Sequence, residues 1–245
     1  MNRSIALFLL GCAISICPSA SASGQKAWER KPYTEWSMSE VVQILSDSPW
    51  AQTQLQDVHL TYQLPANSYS ATIRLRSALT IRQALLRQKQ ILLNYDKFNA
   101  ADKSRFDGET RQFLECTDCV KYYIVTLGSP LFSYENRGQS DPAFVFDIVG
   151  TLKNLSIDDL KSNVYLVNDR GERRDIVHFI PPKGNGTEAM FVFPRLDGQG
   201  KALITRDNKN FYFKIEEKLF DKRSVPLKRF TFEVGRLIQH GEIVF

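Results

Sequence analysis

The chain has 245 residues, four cysteines and a formal charge of +5, with 43% hydrophobic and 24% charged residues. These proportions are ordinary for a folded, soluble protein. A positive balance this mild argues against the concentrated basic face expected of a nucleic-acid-binding chain.

The first residues, MNRSIALFLLGCAISICPSASASGQ, read as a targeting segment. Arg3 supplies the positive n-region, Ile5 to Ile16 the apolar run, and Ala20-Ser21-Ala22 a small-residue cleavage site. That run is shorter than the roughly 20 residues a bilayer span needs. Leu9-Leu10-Gly11-Cys12 offers a lipoprotein box with Cys12 lipidated, but the apolar run before Cys12 is short and continues past it. Residues 1–22 are therefore expected to be a signal peptide, and the chain to be exported to the periplasm or beyond. The mature part, roughly 220 residues, is enough for one large domain or two small ones. Cys12 and Cys17 fall in the leader, which leaves Cys116 and Cys119 to meet an oxidising compartment.

In WSMSEVVQILSDSPWAQ, Ser37 and Glu40 form a capping box and Trp36 with Val41 a hydrophobic staple. Val41, Ile44 and Leu45 make one apolar stripe, and Pro49 stops the helix, so it is expected from about Met38 to Asp47. Trp36 and Trp50 at its ends read as bolts into a core, with an aromatic ligand shelf as the alternative. Asp57 to Leu64 and Ser70 to Ser77 alternate with period two around PANSY and predict a hairpin. Within the second strand, Arg74 and Arg76 share one face while Ile73 and Leu75 take the other.

Thr80-Ile81-Arg82-Gln83 reads as a second capping box, opening a helix to about Tyr95 with Ala84, Leu85, Ile91, Leu92 and Tyr95 inward. A further helix is expected over Ala101 to Glu115, with Phe106, Phe113 and Leu114 inward. From Lys121 the pattern changes to short β-rich runs: KYYIVTL, AFVFDIVGTL, NVYLVND, DIVHFI, AMFVFP, KALIT, NFYFKI, LKRFTFEV and EIVF. Turn signals such as NDRG, PPKGNG, LDGQG and DNKN stand between them. The expected fold class is α+β. A helical N-terminal part, residues 23–119, packs on or is inserted into an antiparallel β-sandwich-like part, residues 120–245.

Three stretches, KPYTEWSMSEVVQILSDSPWAQ, RSALTIRQAL and FPRLDGQGKALITRDNKNFYF, resemble a set of uncharacterised exported bacterial proteins, with similarity spread along most of the mature chain. The resemblance implies export and carries no activity.

Chemistry-bearing motifs are few. In ECTDC a helix precedes Cys116 and a strand follows Cys119, the reverse of a thioredoxin-like site, and Glu115 and Asp118 disfavour a thiolate. A local disulfide or paired structural thiols is the favoured reading of Cys116 and Cys119, ahead of a metal site and a redox site. His59, His178 and His240 are scattered, and no zinc-protease helix, nucleophile elbow or phosphate loop is present. LDGQG around Asp197 reads as a hairpin turn rather than a calcium loop. Asp158 and Asp159 stand together, with Ser156 and Asp159 reading as a helix cap. No cofactor and no metal site is expected.

Basic residues recur at Arg74, Arg76, Arg82, Arg87 and Lys89, and again at Lys222, Arg223, Lys228 and Arg229. Arg74, Arg76 and Arg82 are the candidates for an anion-facing surface, suited to lipid headgroups or acidic glycans. Aromatic residues do not interleave with them as single-stranded nucleic acid requires. Phe245 closes a strand-like run, but the short strands and the helices before them argue against an integral barrel. The leading expectation is a non-enzymatic envelope module that binds a partner protein or an anionic envelope component. A hydrolase with a site assembled from distant strands is the alternative.

Overall fold

A computed structural model of the chain describes residues 26–58, 67–128, 152–183, 187–216, 219, 229–239 and 241–245. The expected leader at 1–22, most of AFVFDIVGTL, Ser129, His59, His240, Lys222, Arg223 and Lys228 lie outside the described residues.

One helical turn, α1 (Ala27–Arg30), and a 3-10 turn over Tyr33–Glu35 lead into α2 (Met38–Ser46). Ser37 caps α2 as its sequence predicts: the Ser37 hydroxyl accepts from Glu40 N at 3.3 Å, and Ser37 N donates to the Glu40 carboxylate at 2.8 Å. Val41, Ile44 and Leu45 are buried. Trp36 and Trp50 are 2% and 0% exposed, so both are seated in the core. Each ring N–H finds a carbonyl, Trp36 on Lys31 O at 3.3 Å and Trp50 on Val244 O at 2.7 Å. A buried indole needs that partner for its polar edge.

The strands β1 (Asp47–Ser48), β2 (Ala51–Val58) and β3 (Asn67–Leu75) follow, with β2 starting directly after Trp50. Next come α3 (Leu79–Leu92), a 3-10 turn at Tyr95–Lys97, α4 (Ala100–Glu115) and a 3-10 turn at Thr117–Val120. The remaining elements are β4 (Tyr122–Gly128), α5 (Ile157–Leu160), β5 (Val164–Asn168), β6 (Arg173–Asp175) and β7 (His178–Ile180). The chain continues through β8 (Ala189–Pro194), β9 (Asn210–Ile215), β10 (Phe230–Glu233), β11 (Ile238–Gln239) and β12 (Glu242–Ile243). Two of the predicted runs, AMFVFP and NFYFKI, coincide with β8 and β9. KALIT contributes only an isolated bridge, Leu196 to Ala202.

The fold is α+β, with helices concentrated N-terminally and antiparallel strands C-terminally. One sheet has the order β1-β2-β3-β4-β8-β7 and the other β10-β9-β5-β6, while β11 and β12 form a separate pair. The paired strands β2 and β3 do not stand apart with the helices; β2 begins at Ala51 rather than at the expected Asp57, and residues 59–66 of the expected hairpin lie outside the described residues. Thr72 to Leu75 of β3 pair with Gly128 to Val125 of β4, so a boundary at 119/120 runs through a continuous sheet. The two larger sheets pack face to face. Phe191 and Phe193 of β8 meet Phe213 of β9 at ring-centroid distances of 5.2 and 6.1 Å. Ile73, Leu75, Val125, Leu127, Phe211, Phe230 and Phe232 fill the same layer. Gln52 of β2 donates to Thr231 O of β10, tying the sheets along one edge.

The helices lie on the other face of the six-stranded sheet. Thr53 donates to Ser46 O at the end of α2 (3.1 Å) and Arg74 Nε to Leu45 O (2.6 Å). In α3 the expected inward face holds at Ala84, with Leu85 and Ile91 half-buried against the core, and is corrected at Leu92. Its N-cap is Ala78 with no side-chain cap, the Thr80 box does not form, and Thr80, Ile81, Arg82, Ala84, Leu86 and Gln90 are buried. Leu92 is 67% exposed. The first turn of α3 is enclosed on several sides, so polar residues there point inward and the simple stripe is displaced. In α4, Phe106 is buried, while Phe113 and Leu114 are half-buried. No helix among the described residues is long and apolar enough to cross a membrane.

Candidate functional site

The first place where polar side chains converge is the helix-side face of β3, β4 and β8. Arg74, across the ladder from Thr126, is 2% exposed, and its guanidinium is paired with Glu188, which just precedes β8. Arg76 reaches the same carboxylate at 3.9 Å and lies over the Phe113 ring at 5.2 Å. Burial pushes the Arg76 guanidinium below its ordinary value, against the pull of Glu188 and with help from Arg74. Arg74 Nη2, Ser77 Oγ and Thr126 Oγ1 are buried without hydrogen-bond partners among the described residues. A Cβ at Gly128 would stand 2.9 Å from Glu188 Cγ, so the glycine makes room for that side chain.

This corrects the anion-facing surface expected of Arg74, Arg76 and Arg82. Arg74 and Arg82 are 2% and 6% exposed, and only Arg76 retains partial access to water. Period-two alternation separates two faces of a strand and does not say which one meets solvent. Here α2 covers Arg74, and Phe113 of α4 lies against Arg76.

Arg82 sits in the first turn of α3 and points at the end of α4. Its Nε donates to Leu114 O at 3.0 Å, and Nη1 donates to Ser77 O and to Cys119 Sγ, the latter at 3.3 Å. A cation at the C-terminal carbonyls of a helix complements the helix dipole. Burial first, then the charges of Arg195 and Arg76, push the Arg82 guanidinium down to about 10. Cys116 and Cys119 form a disulfide. Cys116 takes the left-handed conformation, φ 43°, that ends α4, where glycine is the usual occupant.

The second place is an open groove of about 340 Å³ between the start of α2 and the end of α3. Trp36, Met38 and Ile91 give it an apolar wall, and Arg87, Lys97 and Asp96 give it charge, together with Ser37 and Asn94. Arg87 Nε donates to Trp36 O at 3.0 Å, which fixes the guanidinium beside the indole. Asn94, left-handed at φ 53°, turns the chain so that Asp96 and Lys97 come back to the groove. Nearby on the surface, the Tyr95 hydroxyl donates to the Asp107 carboxylate at 2.9 Å. Burial, with Asp107 adding and Arg87 opposing, raises the Tyr33 phenol above its ordinary value. On the last turn of α3, Leu92 and Leu93 are 67% and 46% exposed.

Sequence reasoning singled out Arg87 as one of several basic residues and missed Lys97, which approaches it only through the left-handed turn at Asn94. A run of two leucines before an asparagine was the available signal. These acids have structural roles: Asp159 accepts from Ser156 N and closes the capping box that starts α5, Asp158 pairs with Lys161 on the surface, and Asp197 caps its own turn at Gln199 N and Lys201 N. His178 is exposed on β7. Among the described residues no three His, Cys, Asp or Glu side chains converge to hold a metal. No protein-family model matches the chain, and comparison with curated proteins and with solved structures yields no match.

Proposed function

We propose that the chain is an exported binding module of the cell envelope, and that its ligand is an anionic component with an apolar body, such as an acidic phospholipid. The carrying observation is the end of α3, where exposed Leu92 and Leu93 stand beside a groove with an apolar wall and the cations Arg87 and Lys97. An exposed leucine pair on a helix end has a hydrophobic cost in water that insertion at a lipid interface removes. Arg87 and Lys97 against the single acid Asp96 leave the groove with a positive excess suited to a phosphate or carboxylate.

Sedimentation with vesicles tests this reading. Phosphatidylglycerol vesicles should pull the protein down at low salt and release it at high salt, while phosphatidylcholine vesicles should not bind it. Lys97→Gln should weaken binding by about five-fold, the worth of one cation near an anionic surface. Adding Leu92→Ser should weaken it further with the melting temperature unchanged. No binding of the parent to phosphatidylglycerol, or unchanged binding in the folded double variant, would refute the proposal.

A further inference from the structure

Arg82 is a buried cation without a counter-ion among the described residues. It is 6% exposed, and its contacts are two backbone carbonyls and one sulfur. Among the described residues no carboxylate pairs with it, while Arg195 and Arg76 add further positive charge nearby. Buried charges normally carry a partner of opposite sign. Of the described groups that Arg82 contacts, the sulfur of Cys119, 3.3 Å from Nη1, is the one able to become an anion, and it does so when the disulfide opens.

The two sulfurs are not equivalent. Cys119 is 5% exposed, whereas Cys116 is half-buried between the exposed residues Glu115 and Thr117. Glu115 and Asp118 oppose a thiolate and Lys121 favours one, but all three are exposed and water screens them. A guanidinium held out of water acts about four-fold more strongly than an equal charge at the same distance in bulk solvent. Arg82 therefore outweighs the two nearby acids at Cys119, and a thiol with a stabilised thiolate is the better leaving group.

We propose that the Cys116–Cys119 bond is redox-active, opened by a dithiol reductant that attacks Cys116 Sγ and expels Cys119 as a thiolate on Arg82. In the first step the reductant's thiolate bonds to Cys116 Sγ, the S–S bond breaks, and its electron pair passes to Cys119 Sγ. In the second, the other thiol of the reductant displaces Cys116 from the mixed disulfide and closes the oxidised reductant. Two electrons enter the protein. The reductant gives up two protons, one taken by Cys116 and the other by solvent while Cys119 remains ionised.

The test uses the full chain, with each cysteine read separately by mass spectrometry after alkylation. Dithiothreitol should reduce Cys116–Cys119 in native buffer without denaturant. In the reduced state, iodoacetamide labelling of Cys119 in the Cys116→Ser chain should show a half-point at least about one pH unit below that of Cys116 in the Cys119→Ser chain, or about ten-fold more thiolate. Arg82→Lys should preserve the difference and Arg82→Gln should erase it. If Arg82→Gln does not fold, the comparison of the two serine variants still decides. A Cys119 half-point at or above that of Cys116, or a bond that dithiothreitol leaves intact in the folded chain, would overturn the proposal.

Discussion

Over residues 71–75 the two faces of β3 are both buried, by opposite means. Ile73 and Leu75, 0% exposed, enter a layer of phenylalanines between the sheets, where apolar area removed from water is the stabilising term. Thr72 and Arg74, 0% and 2% exposed, lie under α2 in a polar layer of carbonyl contacts and one carboxylate. Apolar burial is tolerant of direction. Polar burial depends on each partner, and Arg74 Nη2 and Thr126 Oγ1 already lack one among the described residues. The strand thus joins a robust layer to an exacting one.

The largest loss is expected in the apolar layer. Phe213 touches Phe191, Phe193 and Phe230 across the two sheets. Phe213→Ala should cost about 3–5 kcal/mol, the range for large aromatic truncation in a core. Denaturant unfolding would measure it, and a loss below about 1 kcal/mol would show that the sheets do not share this layer.

A somewhat smaller effect is expected on the polar side, and it should be reversible by a second change. Arg74→Met removes the near partner of Glu188 and leaves that half-buried carboxylate with Arg76 alone, at 3.9 Å, and should cost about 2 kcal/mol. The double variant Arg74→Met, Glu188→Leu should recover most of that loss. If the single variant melts like the parent, the polar layer contributes nothing of the kind described. If the double variant gains nothing over the single, Glu188 is not the stranded group.

The smallest effect separates the layers by acid. Hydrogen bonding from Ser37 N, then from Lys31, holds the Glu40 carboxyl at about 2, below its ordinary 4.5. A carboxyl lowered in the folded state stabilises the fold above its unfolded value, and that contribution is lost as pH falls from about 4.5 toward 2. The side chain is 22% exposed, so the contribution should be about 1 kcal/mol, the worth of a helix cap. Glu40→Gln should flatten this limb of the stability–pH curve. Hydrogen exchange in that window should quicken in α2 and leave β4 unchanged.

What was legible in the sequence was local. The box at Ser37 and Glu40, the stop at Pro49 and the runs that became β8 and β9 each depend on neighbours within a few residues. Trp36 and Trp50 were readable as core residues because the staple position already accounted for Trp36. Arg74 was misplaced because nothing in SATIRLRS reports that α2 covers its second face. Leu92 was misplaced because the phase of α3 is set by α2 and α4, not by its own stripe. Arg82 approaches Cys119 across 37 positions, and Glu188 meets Arg74 across 114, distances over which no local pattern operates.

Trp50 donates its ring N–H to Val244 O, 194 residues later in the chain. A polypeptide delivered from its N-terminus, at about 5–20 residues per second during synthesis, leaves that indole without its acceptor for about 10–40 s. Throughout that interval α2 and β2 are present without the segment that satisfies the tryptophan between them. Completion of this core is thus tied to the arrival of Val244, and until then the Trp50 ring N–H lacks the acceptor it has in the finished fold.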